Sequence, residues 1–143
     1  MLQLPEEILA QIHAHGEQAY PEEGAGFILG ADGEMRAVVT ILPLANARED
    51  AARRNRYLFA PQDYLNAEKE AERLGLRLIG VFHSHPDHPN EPSEFDREWA
   101  QPYFSYIITS VRSGKALESR SWRLAEDRSE FQEERIQLIG KGA

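Results

Sequence analysis

Cysteine is absent from this chain of 143 residues. Its absence excludes disulfide frameworks, thiol nucleophiles and thiolate-bound metal, so any metal must be held by histidine and carboxylate side chains. Long apolar runs are also missing, since no stretch approaches the ~20 residues that span a bilayer. The first ten residues lack the basic start and the apolar core of a secretory signal. We therefore expect a cytosolic (cytoplasmic) protein with no membrane association.

The chain also has no excess of positive charge. Its formal net charge is -8, which argues against a broad nucleic-acid-binding surface. Apolar residues make up 41% and charged residues 28% of the sequence, close to an ordinary soluble globular protein. The length fits one hydrophobic core, and we expect residues 1–143 to form a single domain.

Hydrophobic periodicity predicts an α/β protein with a mixed β-sheet flanked by helices. The helices are expected at residues 5–19 and 61–74, with Gly75 ending the second, and a third helix begins at Ser93. The strands are expected at residues 24–30, 35–42, 57–59, 76–82, 103–110, 117–124 and 131–138. The first two strands read as a hairpin, Ser113 and Gly114 as a turn, and the polar, arginine-rich residues 43–56 as a loop.

Two histidines stand directly after the strand expected at 76–82. His83 and His85 are separated by one residue, and in extended structure residues i and i+2 project to the same side. The two imidazoles can therefore converge on one metal ion. His13 and His15 have the same spacing, but they fall within a predicted helix, where residues i and i+2 point apart, so we interpret them as surface residues.

A serine and an acid follow the histidines after a connector that contains three prolines. Proline fixes φ, so the connector is expected to be stiff. Ser93 and Asp96 then fit the start of a helix, with the serine as N-cap and the acid three residues on. The same spacing places both residues on one helix face, from which they could look back toward the histidines. Both interpretations remain open from the residues alone.

Two histidines and one aspartate are a normal ligand set for catalytic zinc, with the fourth position left for water. Bound zinc lowers the pKa of that water toward ~7. Hydrolysis also needs a base that accepts the proton and later protonates the leaving amine. That base should be a carboxylate elsewhere in the chain. A donor aimed at the developing oxyanion typically contributes ~10²–10³ in rate, and Ser93 could supply it.

The sequence from His83 to Asp96 resembles the JAMM signature of MPN+ zinc metallopeptidases. His83, Ser84, His85 and Pro86 are followed by six residues, then Ser93, two residues and Asp96. Upstream, residues 23–30 resemble the family's E-x-x-G-x-x-x-G segment, for which Glu22 is out of register. The resemblance implies a cytidine-deaminase-like MPN fold of the α+β kind and one zinc ion per chain. It also implies the site residues: zinc ligands His83, His85 and Asp96, acid/base Glu23 and transition-state stabiliser Ser93.

The resemblance extends over nearly the whole chain: residues 79–82, 103–108 and 120–124 resemble the small single-domain prokaryotic members. One departure is Ala25, where many members carry cysteine; we expect it to alter packing rather than zinc chemistry. A second signature, H-x-H-x-D-H, also fits residues 83–88, as in metallo-β-lactamases. That fold needs further histidine ligands downstream, and none follows His88, so Asp87 and His88 are interpreted as loop residues near the site.

Members of this family hydrolyse peptide or isopeptide bonds after the C-terminal tail of ubiquitin or a ubiquitin-like protein. Small bacterial relatives are linked to ubiquitin-like sulfur carriers. The hypothesis for this chain is cleavage after the Gly-Gly tail of such a ubiquitin-like or sulfur-carrier protein, the tail lying along a sheet edge beneath the 43–56 loop. Arginines of that loop are either contacts for an acidic partner or simply solvated: Arg48, Arg53, Arg54 and Arg56.

The competing hypothesis is a non-catalytic MPN module that scaffolds a complex or binds a protein. Such modules typically lose a zinc ligand or the glutamate, and this chain has lost neither. The sequence leaves a homodimer open.

Overall fold

The computed structural model of the chain describes residues 1–44 and 59–140. These residues form three helices and eight strands. In chain order they are β1 (Leu2–Pro5), α1 (Glu6–Ala19), β2 (Ala25–Ala31), β3 (Arg36–Leu44), α2 (Pro61–Arg73), β4 (Arg77–Pro86), α3 (Glu94–Trp99), β5 (Ser105–Arg112), β6 (Lys115–Leu124), β7 (Phe131–Glu134) and β8 (Ile136–Ile139). Within the described ranges, no helix has the length and apolar character needed to cross a membrane.

The strands form one mixed sheet in the order β7-β6-β5-β4-β2-β3-β1-β8. Strand β2 is antiparallel to both β3 and β4, whereas β4 and β5 are parallel. Strand β1 is parallel to both β3 and β8. Strands β4 and β5 are connected through α3, as a parallel pair requires a crossover. The predicted mixed sheet with flanking helices, of the α+β kind, is confirmed, and so is the hairpin of β2 and β3.

Both faces of the sheet carry an apolar core. Successive side chains of β2 alternate between them: Phe27 packs on the side covered by α2, and Ile28 on the side covered by α1. Gly26 lies between tightly packed neighbours, because a Cβ there would sit 2.5 Å from the carbonyl oxygen of Leu42 and from the ring of Phe82. The glycine therefore lets β3 and the Phe82 ring close over the centre of the sheet.

The two edges of the sheet meet. Strands β7 and β8 occupy opposite edges, yet one residue, Arg135, separates them in the chain. The sheet therefore curls around α1. Buried Glu134 lies at this junction and accepts hydrogen bonds from the hydroxyls of Ser105 and Ser121, at 2.8 and 2.9 Å. The prediction of a single strand over 131–138 was wrong, because the chain changes partner at Arg135.

Other predicted boundaries moved. Strand β1 was not predicted, and β4 continues through Pro86 instead of ending at Phe82. Strand β3 extends to Leu44, into the expected loop. The remainder of that loop, with its four arginines, and residues 57–58 of the strand predicted at 57–59 lie outside the described residues. Phe59 is described and is not in a strand.

His13 and His15 are half-buried on α1, not on the open surface. The Nε2 atom of His13 lies 2.9 Å from the hydroxyl oxygen of Ser119, and the His15 ring packs edge-on against Phe82 with centroids 5.6 Å apart. Burial lowers the pKa of both histidines, with Glu17 opposing the shift at His13. The curled sheet covers a wider arc of α1 than a flat sheet would, which explains their burial.

Candidate metal centre and active site

The two histidines of the H-x-H pattern lie near the C-terminal end of β4. This strand is central, between β2 and β5, and its residues from Leu78 to Pro86 are all buried. His83 and His85 project to the same side, and their Nε2 atoms are 3.2 Å apart. The strand therefore brings two imidazole nitrogens together inside the protein, as the sequence predicted for residues i and i+2.

Asp96 reaches the same point from α3. Its Oδ1 lies 3.3 Å from Nε2 of His83, and its Oδ2 lies 3.1 Å from Nε2 of His85. Ser93 is the N-cap of this helix: its hydroxyl oxygen accepts from the Asp96 N–H at 3.1 Å, and its own N–H donates to Asp96 Oδ2 at 2.9 Å. The helix-cap interpretation therefore holds, and of the two residues Asp96 also faces the histidines, as the shared helix face predicted.

The connector between β4 and α3 is fastened to the sheet. Nδ1 of His85 donates to the carbonyl oxygen of Pro89 at 2.8 Å. The hydroxyl of Ser110 donates to the carbonyl oxygen of His88 at 2.7 Å, and the indole N–H of Trp122 donates to that of Asn90 at 3.0 Å. Together with its prolines, these contacts give the connector a defined shape next to the histidines.

Asp87 is directed away from the histidines. Its carboxylate accepts from the Tyr20 hydroxyl at 2.6 Å and from the Ser113 N–H at 2.8 Å. These two hydrogen bonds lower the pKa of Asp87, the one from Tyr20 contributing most. Asp87 thus anchors the connector to the turn between β5 and β6. His88 lies beside the site without joining the cluster of candidate ligand atoms.

Glu23 completes a four-residue cluster. It stands two residues before β2 and is only 2% exposed. One ligand atom from each of Glu23, His83, His85 and Asp96 lies within 4.8 Å of the other three. Strand β2 pairs with β4 so that Ala25 lies opposite His83, and this register carries the glutamate to the level of the histidines.

The protonation of these groups suits a cation. A carbonyl oxygen only accepts, so the contact with Pro89 places the His85 proton on Nδ1 and leaves a lone pair on Nε2. Burial lowers the pKa of His83, although the nearby Asp96 opposes this shift. Because the pKa is lowered, the His83 imidazole is neutral at pH 7. Burial raises the pKa of Asp96, whereas the charge and hydrogen bonds that His83 and His85 supply when protonated lower it, and the resulting pKa lies well below its usual range.

The spacing of the donor atoms fits zinc. Tetrahedral zinc with bonds of ~2.0–2.1 Å places its ligand atoms about 3.3 Å apart. The Nε2 atoms of His83 and His85 are 3.2 Å apart, and each faces one carboxylate oxygen of Asp96: Oδ1 lies 3.3 Å from His83 and Oδ2 lies 3.1 Å from His85. Two neutral nitrogens and one carboxylate, already at these distances, form a set that a divalent cation would complete.

The cluster opens into a groove of about 450 Å³. Glu23, His85 and Ser93 line it together with the proline-rich connector and Phe95. Ser93 is exposed there, so its hydroxyl is accessible to a molecule that enters the groove. The Pro89 carbonyl orients His85, and it could not be predicted from the sequence because a backbone oxygen leaves no signal in residue type.

Comparison with known proteins places the chain in a family. The prokaryotic homologs of the JAB domain match residues 5–125, and the chain belongs to this family. Over 116 residues it is 34% identical to a probable TtuB-protein conjugate cleaving protease of Thermus thermophilus, which covers 79% of this chain and 74% of that protein. It is 33% identical over 91 residues to a desampylase of Haloferax volcanii, which covers 63% of each chain.

Solved structures share the fold. A protein of Desulfitobacterium hafniense superposes with a TM-score of 0.84 at 32% identity, covering 99% of this chain and 94% of that one. A JAB1/MPN domain protein of Archaeoglobus fulgidus superposes with a TM-score of 0.60 at 16% identity, covering 97% and 99%. The resemblance to the JAMM/MPN+ family and the expected MPN fold are thereby confirmed.

Proposed function

We propose that this chain is a zinc-dependent metallopeptidase that hydrolyses the amide bond after the C-terminal Gly-Gly tail of a ubiquitin-like or sulfur-carrier protein. The observation that carries the proposal is the cluster of His83, His85 and Asp96. Their donor atoms lie 3.1–3.3 Å apart, with the buried carboxylate of Glu23 beside them. The set retains each ligand and the glutamate that a non-catalytic scaffold typically loses.

One zinc ion per chain is assigned to His83, His85 and Asp96. When bound, it would supply Lewis-acid activation of water at neutral pH. The hydrogen bond from His85 Nδ1 to Pro89 leaves Nε2 unprotonated for this role, and the Ser93 N–H bonded to Asp96 Oδ2 fixes the carboxylate. Such outer contacts orient metal ligands and tune their affinity.

Glu23 is assigned as the acid/base. Its buried carboxylate lies within 4.8 Å of the candidate ligand atoms and lines the groove, where it can accept a proton from water and return it to the departing amine. Ser93 is assigned as the donor to the carbonyl oxygen of the scissile bond as negative charge develops there. Its hydroxyl oxygen already accepts from Asp96 N–H, which leaves the hydroxyl proton for the substrate.

The substrate class is supported by the relatives. The names of the two relatives describe cleavage activities, and one name specifies protein conjugates. We propose that this chain likewise hydrolyses conjugates of a ubiquitin-like protein. Because its two glycines have no side chains, a Gly-Gly tail is narrow enough to lie along the groove. The proposal also includes one JAMM/MPN+ domain over residues 1–143, a cytosolic location and no nucleic-acid or membrane partner; a homodimer remains open.

The test combines metal analysis with a cleavage assay. The purified protein should contain about one zinc per chain. It should cleave a small ubiquitin-like carrier extended after its Gly-Gly tail by one amino acid, or linked through that tail to a lysine ε-amine. Mass spectrometry identifies the cleaved bond. A carrier with the tail changed to Ala-Ala serves as the matched substrate control, and chelation should abolish cleavage.

Two outcomes would contradict the proposal. Stoichiometric zinc without cleavage of any extended or conjugated carrier would favour a binding module. Equal cleavage of the Gly-Gly and Ala-Ala tails would refute the assigned tail specificity while retaining a peptidase.

A further inference from the structure

Ser84, the residue between the two histidines, faces the opposite side of β4. It is 3% exposed and contacts the segment that carries Glu23. The backbone N–H of Gly24 donates to the Ser84 hydroxyl oxygen at 2.8 Å, and the Ser84 N–H donates to the Gly24 carbonyl oxygen at 2.9 Å. Two hydrogen bonds thus join the neighbour of Glu23 to the residue between the candidate ligands.

Helix α1 packs closely against this junction. A Cβ on Gly24 would lie 2.9 Å from the Cβ of Ala19 and 3.0 Å from Nδ1 of His15. A Cβ on Gly16 would lie 3.2 Å from the Cβ of Ser84. Gly24 therefore has helix on one side and strand β4 on the other, and little space into which it can move.

The hydroxyl of Ser84 acts at the point where the regular ladder ends. Pairing between β2 and β4 reaches Ala25 and His83, and Glu23 stands one residue beyond Gly24. The side-chain hydrogen bond from Gly24 to Ser84 extends the connection past the ladder. It couples the backbone next to Glu23 to the same three-residue stretch that presents His83 and His85.

We propose that Ser84 is a positioning residue, which sets the distance between the Glu23 carboxylate and the candidate metal ligands. The inference rests on the proposed hydrolase function, since it concerns the alignment of the acid/base. Ser84 touches neither substrate nor metal in this role. A displacement of about 1 Å at a reacting group can reduce the rate by ~10²-fold, so loss of the hydroxyl should lower kcat while the ligands stay in place.

Three substitutions of Ser84 weaken the hydrogen bond from the Gly24 N–H to different extents. Ser84→Thr keeps a hydroxyl, Ser84→Cys keeps the shape with a weak acceptor, and Ser84→Ala removes the acceptor. We expect kcat on the extended carrier to decrease in that order, by about 10- to 100-fold for alanine, with KM and zinc content unchanged. Ser121→Ala is the matched control, because Ser121 is also buried and hydrogen-bonded, to Glu134, and is not among the residues that line the groove.

Amide hydrogen exchange gives a readout that needs neither activity nor metal. The Gly24 N–H should exchange slowly in the parent protein and in Ser84→Thr, and faster in Ser84→Ala, with and without zinc. If Ser84→Ala fails to fold, the same comparison is made with Ser84→Cys. Melting temperatures show how much each substitution destabilises the whole fold. Ser121→Ala should lower the melting temperature about as much as Ser84→Ala does, but without the changes in kcat and in Gly24 exchange.

The inference is overturned if Ser84→Ala cleaves with the parent kcat, if Ser121→Ala slows cleavage equally, or if exchange at Gly24 is unchanged. Failure of the proposed function has a different signature, because the parent protein itself would then cleave no carrier.

Discussion

His85 donates its Nδ1 proton to the carbonyl oxygen of Pro89 at 2.8 Å. The contact decides which nitrogen of the ring faces His83 and Asp96. Because the acceptor belongs to the proline-rich connector, the loop that separates β4 from α3 also orients a candidate ligand. The connector therefore does more than join two elements, and its shape is part of the metal centre.

Removal of a candidate ligand should remove the metal. His85→Ala deletes one of three donors, so bound zinc should fall from about one per chain toward zero after dialysis, measured by elemental analysis. His88→Ala is the matched control: His88 lies in the same connector but outside the ligand cluster. Full zinc in His85→Ala, or equal loss in both variants, would contradict the ligand assignment.

Removal of the acid/base should leave the metal in place. Glu23→Gln preserves shape but cannot accept a proton, so kcat should decrease by ~10²–10⁴-fold at unchanged zinc content. Glu22→Gln provides the control on the adjacent residue. The assignment fails if the two variants have the same kcat.

The two roles of Ser93 can be separated by two substitutions. Ser93→Ala should destabilise the fold by ~1 kcal/mol through loss of the helix cap, whereas Ser93→Gly should cost only a few tenths. Both lack the hydroxyl, so both should lose ~10²–10³ in kcat if Ser93 stabilises the oxyanion. Urea unfolding and steady-state kinetics measure the two effects. Activity that follows stability, with glycine near the parent rate, would leave Ser93 as a cap alone.

Acid should weaken the fold partly through Asp32. Hydrogen bonds from Tyr103 and then Arg36 lower the pKa of Asp32 to about 2, below the ~3.9 of an unfolded aspartate. A lowered folded-state pKa contributes stability above pH 4 that is lost as pH falls toward 2. The difference in unfolding free energy between the parent and Asp32→Asn, measured in urea with EDTA present, should shrink over this window.

Glu34→Gln serves as the control for that experiment, since Glu34 is an exposed acid close by in the chain. A difference between the parent and Asp32→Asn that stays constant from pH 5 to pH 2 would refute the role of Asp32.

Much of the centre of the molecule could be predicted from the sequence. The hairpin of β2 and β3, α2, and the convergence of His83 and His85 follow from local periods, and a period of two residues holds wherever the strand lies. The Ser93 to Asp96 spacing likewise predicted the helix start. These features depend on neighbours in the chain, which a sequence displays directly.

The parts that could not be predicted depend on distant partners. A strand pattern over 131–138 does not show that pairing moves from β6 to β1 at Arg135. The polar residues His83, Ser84 and His85 predicted that the strand ends at Phe82. They are nevertheless buried in β4, because the two histidines form the site there. The burial of His13 and His15 depends on the curl of the sheet around α1, which no single helix pattern reveals.

The meeting of β1 and β8 has a consequence for folding during synthesis. Leu2 pairs with Ile136 and Pro5 with Ile139, whereas the cluster from Glu23 to Asp96 is complete long before those partners emerge from the ribosome. Contacts so distant in sequence form late. Until β8 is made, β1 presents an unpaired edge, and such edges promote aggregation. Strand β8 thus covers the open edge of β1, and nascent chains that stall before Ile136 should aggregate more readily than chains that include β8.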